Sequence, residues 1–178
     1  MAFRSGIYMV PTNRWYIERT VWLIAGFVLL TATALSVWVQ PFFVLLVVAT
    51  GVSSIVVSLT GLCLVGSALL RLGFQPKIGD PARGHGKWYF MQTDRWFLER
   101  RIYLVVGINI SLASVLSLVH SPWWLAFTGF VGVAMVWFPA TGFCIMANML
   151  YWLGAEPRLG AERKTLAAIE AQGQPARA

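Results

Sequence analysis

Two cysteines stand 81 residues apart in matching settings, Cys63 in TGLC and Cys144 in TGFC. A thiol pair of this kind can carry sulfur or enter redox chemistry, provided a positive group or a free helix N-terminus stabilises the thiolate. The alternative is that each cysteine serves as a small, soft hydrophobe filling a tight interface. Two cysteines make no disulfide framework, and no further Cys or His accompanies them at metal-ligand spacing. His85 falls in a polar connector and His120 in a turn at the far end of the apolar segments, so the two cannot ligate one cofactor together. Glu18-Arg19 and Glu99-Arg100 read as ion pairs at the level of lipid headgroups, with Arg14, Trp15, Arg95 and Trp96 beside them as interfacial anchors. Asn109 is the only Asn, Asp or Glu deep in an apolar span, where an amide is expected to hydrogen-bond between helices, worth about 1 kcal/mol. No nucleophile–base pair, metal cluster or phosphate-binding loop emerges. The pattern points away from an enzyme and implies no cofactor.

The elements that position these residues are set by charge-free runs. From Thr20 to Leu70 there is no charged residue or histidine, and from Ile102 to Ala155 only His120 interrupts a second such run. The chain is 58% hydrophobic and 12% charged, against about 25% charged in soluble domains. One membrane-spanning helix needs about 20 residues, so each run has room for two. Each also holds one central turn signal, Gln40-Pro41 or His120-Ser121-Pro122, where proline suits the first position of a new helix. Arg14, Glu18 and Arg19 precede the first apolar stretch, which is not the layout of a cleavable signal peptide. All 14 Lys and Arg lie outside the two turns. Positive-inside logic therefore puts both termini and the 71–101 connector in the cytoplasm of a bacterial inner membrane. The net charge of +7 borders membrane spans, where orientation and anionic lipid account for it, and no nucleic-acid module is present.

A gapless offset of 81 residues lays TNRWYIER (12–19) over TDRWFLER (93–100). It also pairs Gly26 with Gly107, Pro41 with Pro122, Gly51 with Gly132 and LGFQPKIG with LGAEPRLG. The matches fall at caps, turns and helix ends, which reads as a duplication. The units are 1–80 and 81–161, followed by a polar tail, 162–178, expected to stay disordered unless a partner holds it. Thr12-Asn13 and Thr93-Asp94 supply N-cap chemistry. Gly61 and Gly142 are expected to break the return helices, leaving interfacial helical pieces over 62–72 and 143–153; the alternative is one long tilted helix running through to Gly73. Trp22 and Trp137 lie deep enough to face lipid, a neighbouring subunit or a pigment. The expected fold is an all-α integral membrane protein of two tandem helical hairpins, with four transmembrane helices, short interfacial helices and a pseudo-two-fold axis along the membrane normal.

With the Asn-Arg and Glu-Arg pairs, the TG-x-C segment and the LG-x-x-P ending in place, each unit resembles the YgaP-like transmembrane domain, a bacterial inner-membrane family of unknown function. The resemblance covers about residues 9–79 and 90–160. It implies a fold in which two hairpins associate as a homodimer, here fused in tandem, and in some members a link to sulfane sulfur. The sequence departs from the family at Leu64 and Ile145, where a proline usually follows the cysteine. The reading that follows is a non-enzymatic accessory or scaffold subunit, packed in the lipid bilayer against other integral-membrane subunits, with homo-oligomerisation a further expectation. The rivals are a sulfur- or thiol-linked carrier using Cys63 and Cys144, and a small-solute channel, although no ionisable residue marks a pathway within the spans.

Overall fold

The computed structural model describes residues 6–159; the tail at 162–178 lies outside the described residues. Seven α-helices are described: α1 (Ile17–Trp38), α2 (Val44–Thr60), α3 (Leu64–Arg71), α4 (Pro81–Gly84), α5 (Leu98–Val119), α6 (Trp124–Thr141) and α7 (Ile145–Trp152). A 3-10 turn over Pro41–Phe43 joins α1 to α2. Four helical segments are long and apolar enough to cross a membrane: α1, α2 with its leading 3-10 turn, α5 and α6. Only 33–39% of their most apolar windows is buried inside the protein, so most of each span turns apolar side chains outward. Phe130, Val133 and Trp137 on α6 and Ile108, Leu112 and Val115 on α5 form such outward stripes. A surface of that extent is compatible with lipid and not with water. The chain is a multi-pass helical membrane protein.

The long helices pack across the two halves of the sequence rather than within each hairpin. The most extensive contacts join α1 to α6 and α2 to α5, with α1 to α2 and α5 to α6 much less engaged. Along the first seam Arg19 meets Pro139, Gly26 meets Val136 and Thr33 meets Thr128, so α1 and α6 run antiparallel. Along the second, Arg100 meets Ser58 and Gly107 meets Gly51 and Ile55. Small residues set both approaches: a Cβ on Gly107 would lie 2.7 Å from the Gly51 carbonyl oxygen and 2.9 Å from the Ile55 nitrogen. Leu29, Val47 and Ile110 fill the middle of the bundle without solvent exposure.

The glycine breaks occur at both expected positions. Gly61 (φ 80) and Gly142 (φ 76) cap α2 and α6 in the left-handed region, each donating its N–H back to Val57 or Phe138. α3 and α7 follow as separate helices, and α6 continues through Pro139 to Thr141. The N-caps differ from expectation. α1 and α5 begin at Ile17 and Leu98, after Tyr16 and Phe97, and no side chain caps either. The Ile17 N–H instead donates to the Gln75 carbonyl and the Leu98 N–H to the Glu156 carbonyl, at 3.1 and 2.8 Å. A returning loop does the work assigned to Thr12-Asn13 and Thr93-Asp94.

Candidate functional site

The polar residues of the sequence converge at the end of the bundle where α1 and α5 begin. Glu18 is buried there and makes no ion pair with Arg19. Its Oε1 accepts from the Lys77 and Ile78 N–H groups at 3.0 and 2.8 Å and from the Tyr89 hydroxyl at 2.9 Å. Glu99, 81 residues on, accepts from the Arg158 and Leu159 N–H groups at 3.2 and 2.9 Å and from the Tyr8 hydroxyl at 2.8 Å. Each carboxylate is thus held by its own half's loop and by a tyrosine of the other half. The expected headgroup-level ion pairs are replaced by charge-assisted hydrogen bonds, each worth about 1.5–3 kcal/mol. Burial and the adjacent carboxylate push the Tyr8 and Tyr89 hydroxyls well above the ordinary tyrosine range, so both remain donors at neutral pH.

The arginines repeat the crossing. Arg19 Nε donates to the Pro139 carbonyl and Arg100 Nε to the Ser58 carbonyl, both at 2.6 Å. These acceptors lie in the last turn of a helix, where carbonyls lack intrahelical donors and a cation is favoured. The same guanidiniums reach back to the Thr12 and Thr93 carbonyls, at 2.8 and 3.0 Å. They also lie over the rings of Trp15 and Trp96, 4.0 and 3.9 Å from the centroids. Among the residues expected as interfacial anchors, Arg14, Trp15, Arg95 and Trp96 are exposed, whereas Glu18, Arg19, Glu99 and Arg100 are buried braces between halves.

Short extended segments complete the brace. Met9 bridges to Phe143 and Leu62 to Phe90, so the residues preceding the first long helix of each unit pair with those after the glycine break of the other. The Val10 N–H donates to the Gly142 carbonyl and the Met91 N–H to the Gly61 carbonyl. Asn148 brackets the Tyr8 backbone with its amide, and Ser67, its counterpart in the first half, accepts from the Tyr89 N–H. Tyr8 and Tyr89 were not among the expected site residues. They obey the same 81-residue offset, and extending the match N-terminally from Thr12 finds them. A cavity of about 20 Å³, room for a single water, lies among Glu18, Glu99, Tyr16 and Tyr103.

Both cysteines sit at the N-caps of the short helices. The Cys63 sulfur accepts from the Gly66 N–H at 3.2 Å, while Cys144 makes no such bond. Burial pushes both thiols up, away from the thiolate that sulfur transfer needs. Asn109 donates to the Val105 carbonyl of its own helix at 2.8 Å, not across to another, because that i−4 acceptor lies within its reach. His120 accepts from the Trp124 indole N–H at 3.2 Å within its turn, and His85 is exposed in the connector. Trp22 is buried, 4.5 Å from Tyr103 and edge-on to Phe138; only Trp137 of that pair faces outward. Among the described residues no group of three metal-ligating side chains forms. Comparison with protein families, curated proteins and solved structures finds nothing that matches the chain.

Proposed function

We propose that the chain is a non-enzymatic accessory or scaffold subunit of a bacterial inner-membrane complex, with both termini and the basic connector in the cytoplasm. The observation that carries this reading is where the polar groups go. Glu18, Arg19, Glu99, Arg100, Tyr8 and Tyr89 are consumed in bracing one half against the other. Chemistry needs a polar group left free to meet a substrate, and binding needs a surface to offer. This molecule offers outward faces rich in aromatic and aliphatic side chains on four spans. The 81-residue offset supports a duplication of a YgaP-like unit, and the crossed contacts support a fused pair that acts as one rigid body. Purification from native membranes in mild detergent tests the reading. It predicts stoichiometric recovery of other integral-membrane subunits, and recovery of the chain alone would contradict it.

The thiol-carrier alternative needs reactive thiolates at Cys63 and Cys144, and their burial weighs against it. Replacing both with Ser while sulfur-dependent growth is retained would remove it.

A further inference from the structure

The short helices that follow the two glycine breaks end differently. Along α3 the exposed positions are Leu64, Val65, Ala68, Arg71 and Leu72, one helical face, while Gly66, Ser67 and Leu69 turn inward. This face is apolar up to its last turn, the pattern of a helix lying in a membrane interface. Arg71 then lies over the half-exposed Trp88, its guanidinium carbon 5.1 Å from the ring centroid, and the exposed Lys87 is the residue before that tryptophan. Neither cation has a carboxylate partner among the described residues. The two acids of the first half are already engaged: Asp80 accepts from the Ala82 and Arg83 N–H groups, and Glu18 is buried. At the end of α7, Trp152 stands in place of Arg71, and its indole N–H donates to the Gly6 carbonyl.

We propose that the α3 corner seats one anionic glycerophospholipid, with its phosphate on Arg71 and Lys87 and an acyl chain along Leu64, Val65 and Leu72. Charge and shape both select this occupant. Two unpaired cations call for an anion, and the apolar stripe running from them calls for a hydrocarbon chain attached to it. Trp88, amphipathic and partly exposed, marks the level at which headgroup meets chain. A free phosphate satisfies the cations and leaves the stripe unused. The α7 corner, without the arginine, does not form a second seat.

The test uses the full chain in nanodiscs of phosphatidylcholine containing about one-fifth phosphatidylglycerol, with retained lipid counted by native mass spectrometry. One phosphatidylglycerol is retained in preference to phosphatidylcholine. Each cation in contact with the headgroup is worth about fivefold, so Arg71→Gln with Lys87→Gln lowers retention roughly twenty-five-fold. The swap Arg71→Lys with Lys87→Arg keeps most of it, and the charge-matched pair Arg14→Gln with Arg95→Gln changes it by about twofold or less. Leu72→Gln lowers retention with the cations intact, and millimolar inorganic phosphate does not displace the lipid. Equal losses from the two charge-matched pairs would overturn the seat in favour of diffuse attraction. Displacement by phosphate, or retention unaffected by Arg71→Gln with Lys87→Gln, would overturn it as well.

Discussion

The two ends of the bundle obey different rules. At the end where α1 and α5 begin, the halves correspond residue by residue: Tyr8 and Tyr89, Glu18 and Glu99, Arg19 and Arg100, Gly61 and Gly142 make the same contacts in crossed fashion. Farther along the spans the correspondence loosens. Thr33 and Thr128 approach within 3.2 Å across the α1–α6 seam, hydroxyl to hydroxyl. The positions 81 away on the other seam are Ser114 and Val47, and Ser114 donates to the Ile110 carbonyl of its own helix. Gly107 meets Ile55 and Gly26 meets its equivalent Val136, but the side chain set against Gly51 is Ser111, whereas the one set against Gly132 is Leu30. A buried polar group admits few substitutes, because each unmet donor or acceptor costs about 1–3 kcal/mol. An apolar contact in lipid asks only for size and closeness, so different residues satisfy it.

Removing a carboxylate is the strongest way to break the polar end. Glu18→Ala leaves the Lys77 and Ile78 N–H groups and the Tyr89 hydroxyl without their acceptor, and should cost roughly 3 kcal/mol or more. Glu99→Ala should match it to within about 1 kcal/mol, read from unfolding in mixed micelles. A clear inequality would show that the two braces are not equivalent. Next come the caps. Gly61→Ala and Gly142→Ala force a side chain into the left-handed region and against the Met91 or Val10 carbonyl, and each should cost about 1–2 kcal/mol. Loss in only one would locate an asymmetry that the contacts do not show.

Mid-span changes should be milder. Asn109→Val installs the type of residue found at the paired position, Val28, and removes only a bond within α5, so stability should move by about 0.5 kcal/mol or less. A loss above about 1.5 kcal/mol would mean that the amide bridges helices after all. The smallest effect belongs to Asp94, whose ion pair with Arg158 (2.7 Å) has no counterpart at Asn13 and Lys77. Hydrogen bonding from that guanidinium lowers the Asp94 pKa to about 2. A depressed acid contributes stability above its unfolded value near 4, lost as pH falls through about 2. Because the pair is exposed, Asp94→Asn should cost about 0.5 kcal/mol or less at neutral pH, with a difference from the parent that shrinks on acidification.

Much of this arrangement is legible in the sequence. Two charge-free runs with a proline turn in each give four spans, and the paired Thr-Gly steps give the breaks. The packing partners are not legible, because an apolar helix reads the same whether it meets its hairpin mate or the other half. The fate of Glu18 and Glu99 is hidden for a related reason. A charge at the start of a span suits a solvated headgroup layer as well as a buried site, and what decides is a loop about 60 residues away plus a tyrosine from the other half. Asn109 misleads because a helix interior offers a carbonyl four residues back to any amide.

The halves are braced crosswise, Glu18 to Tyr89 and Glu99 to Tyr8. Double-mutant cycles on the full chain measure it directly, combining Glu18→Gln with Tyr89→Phe and, separately, with Tyr8→Phe. The expected coupling is about 1–2 kcal/mol for Glu18 with Tyr89 and no more than about 0.5 kcal/mol for Glu18 with Tyr8. Coupling of Glu18 to Tyr8 instead, or to neither tyrosine, would contradict it.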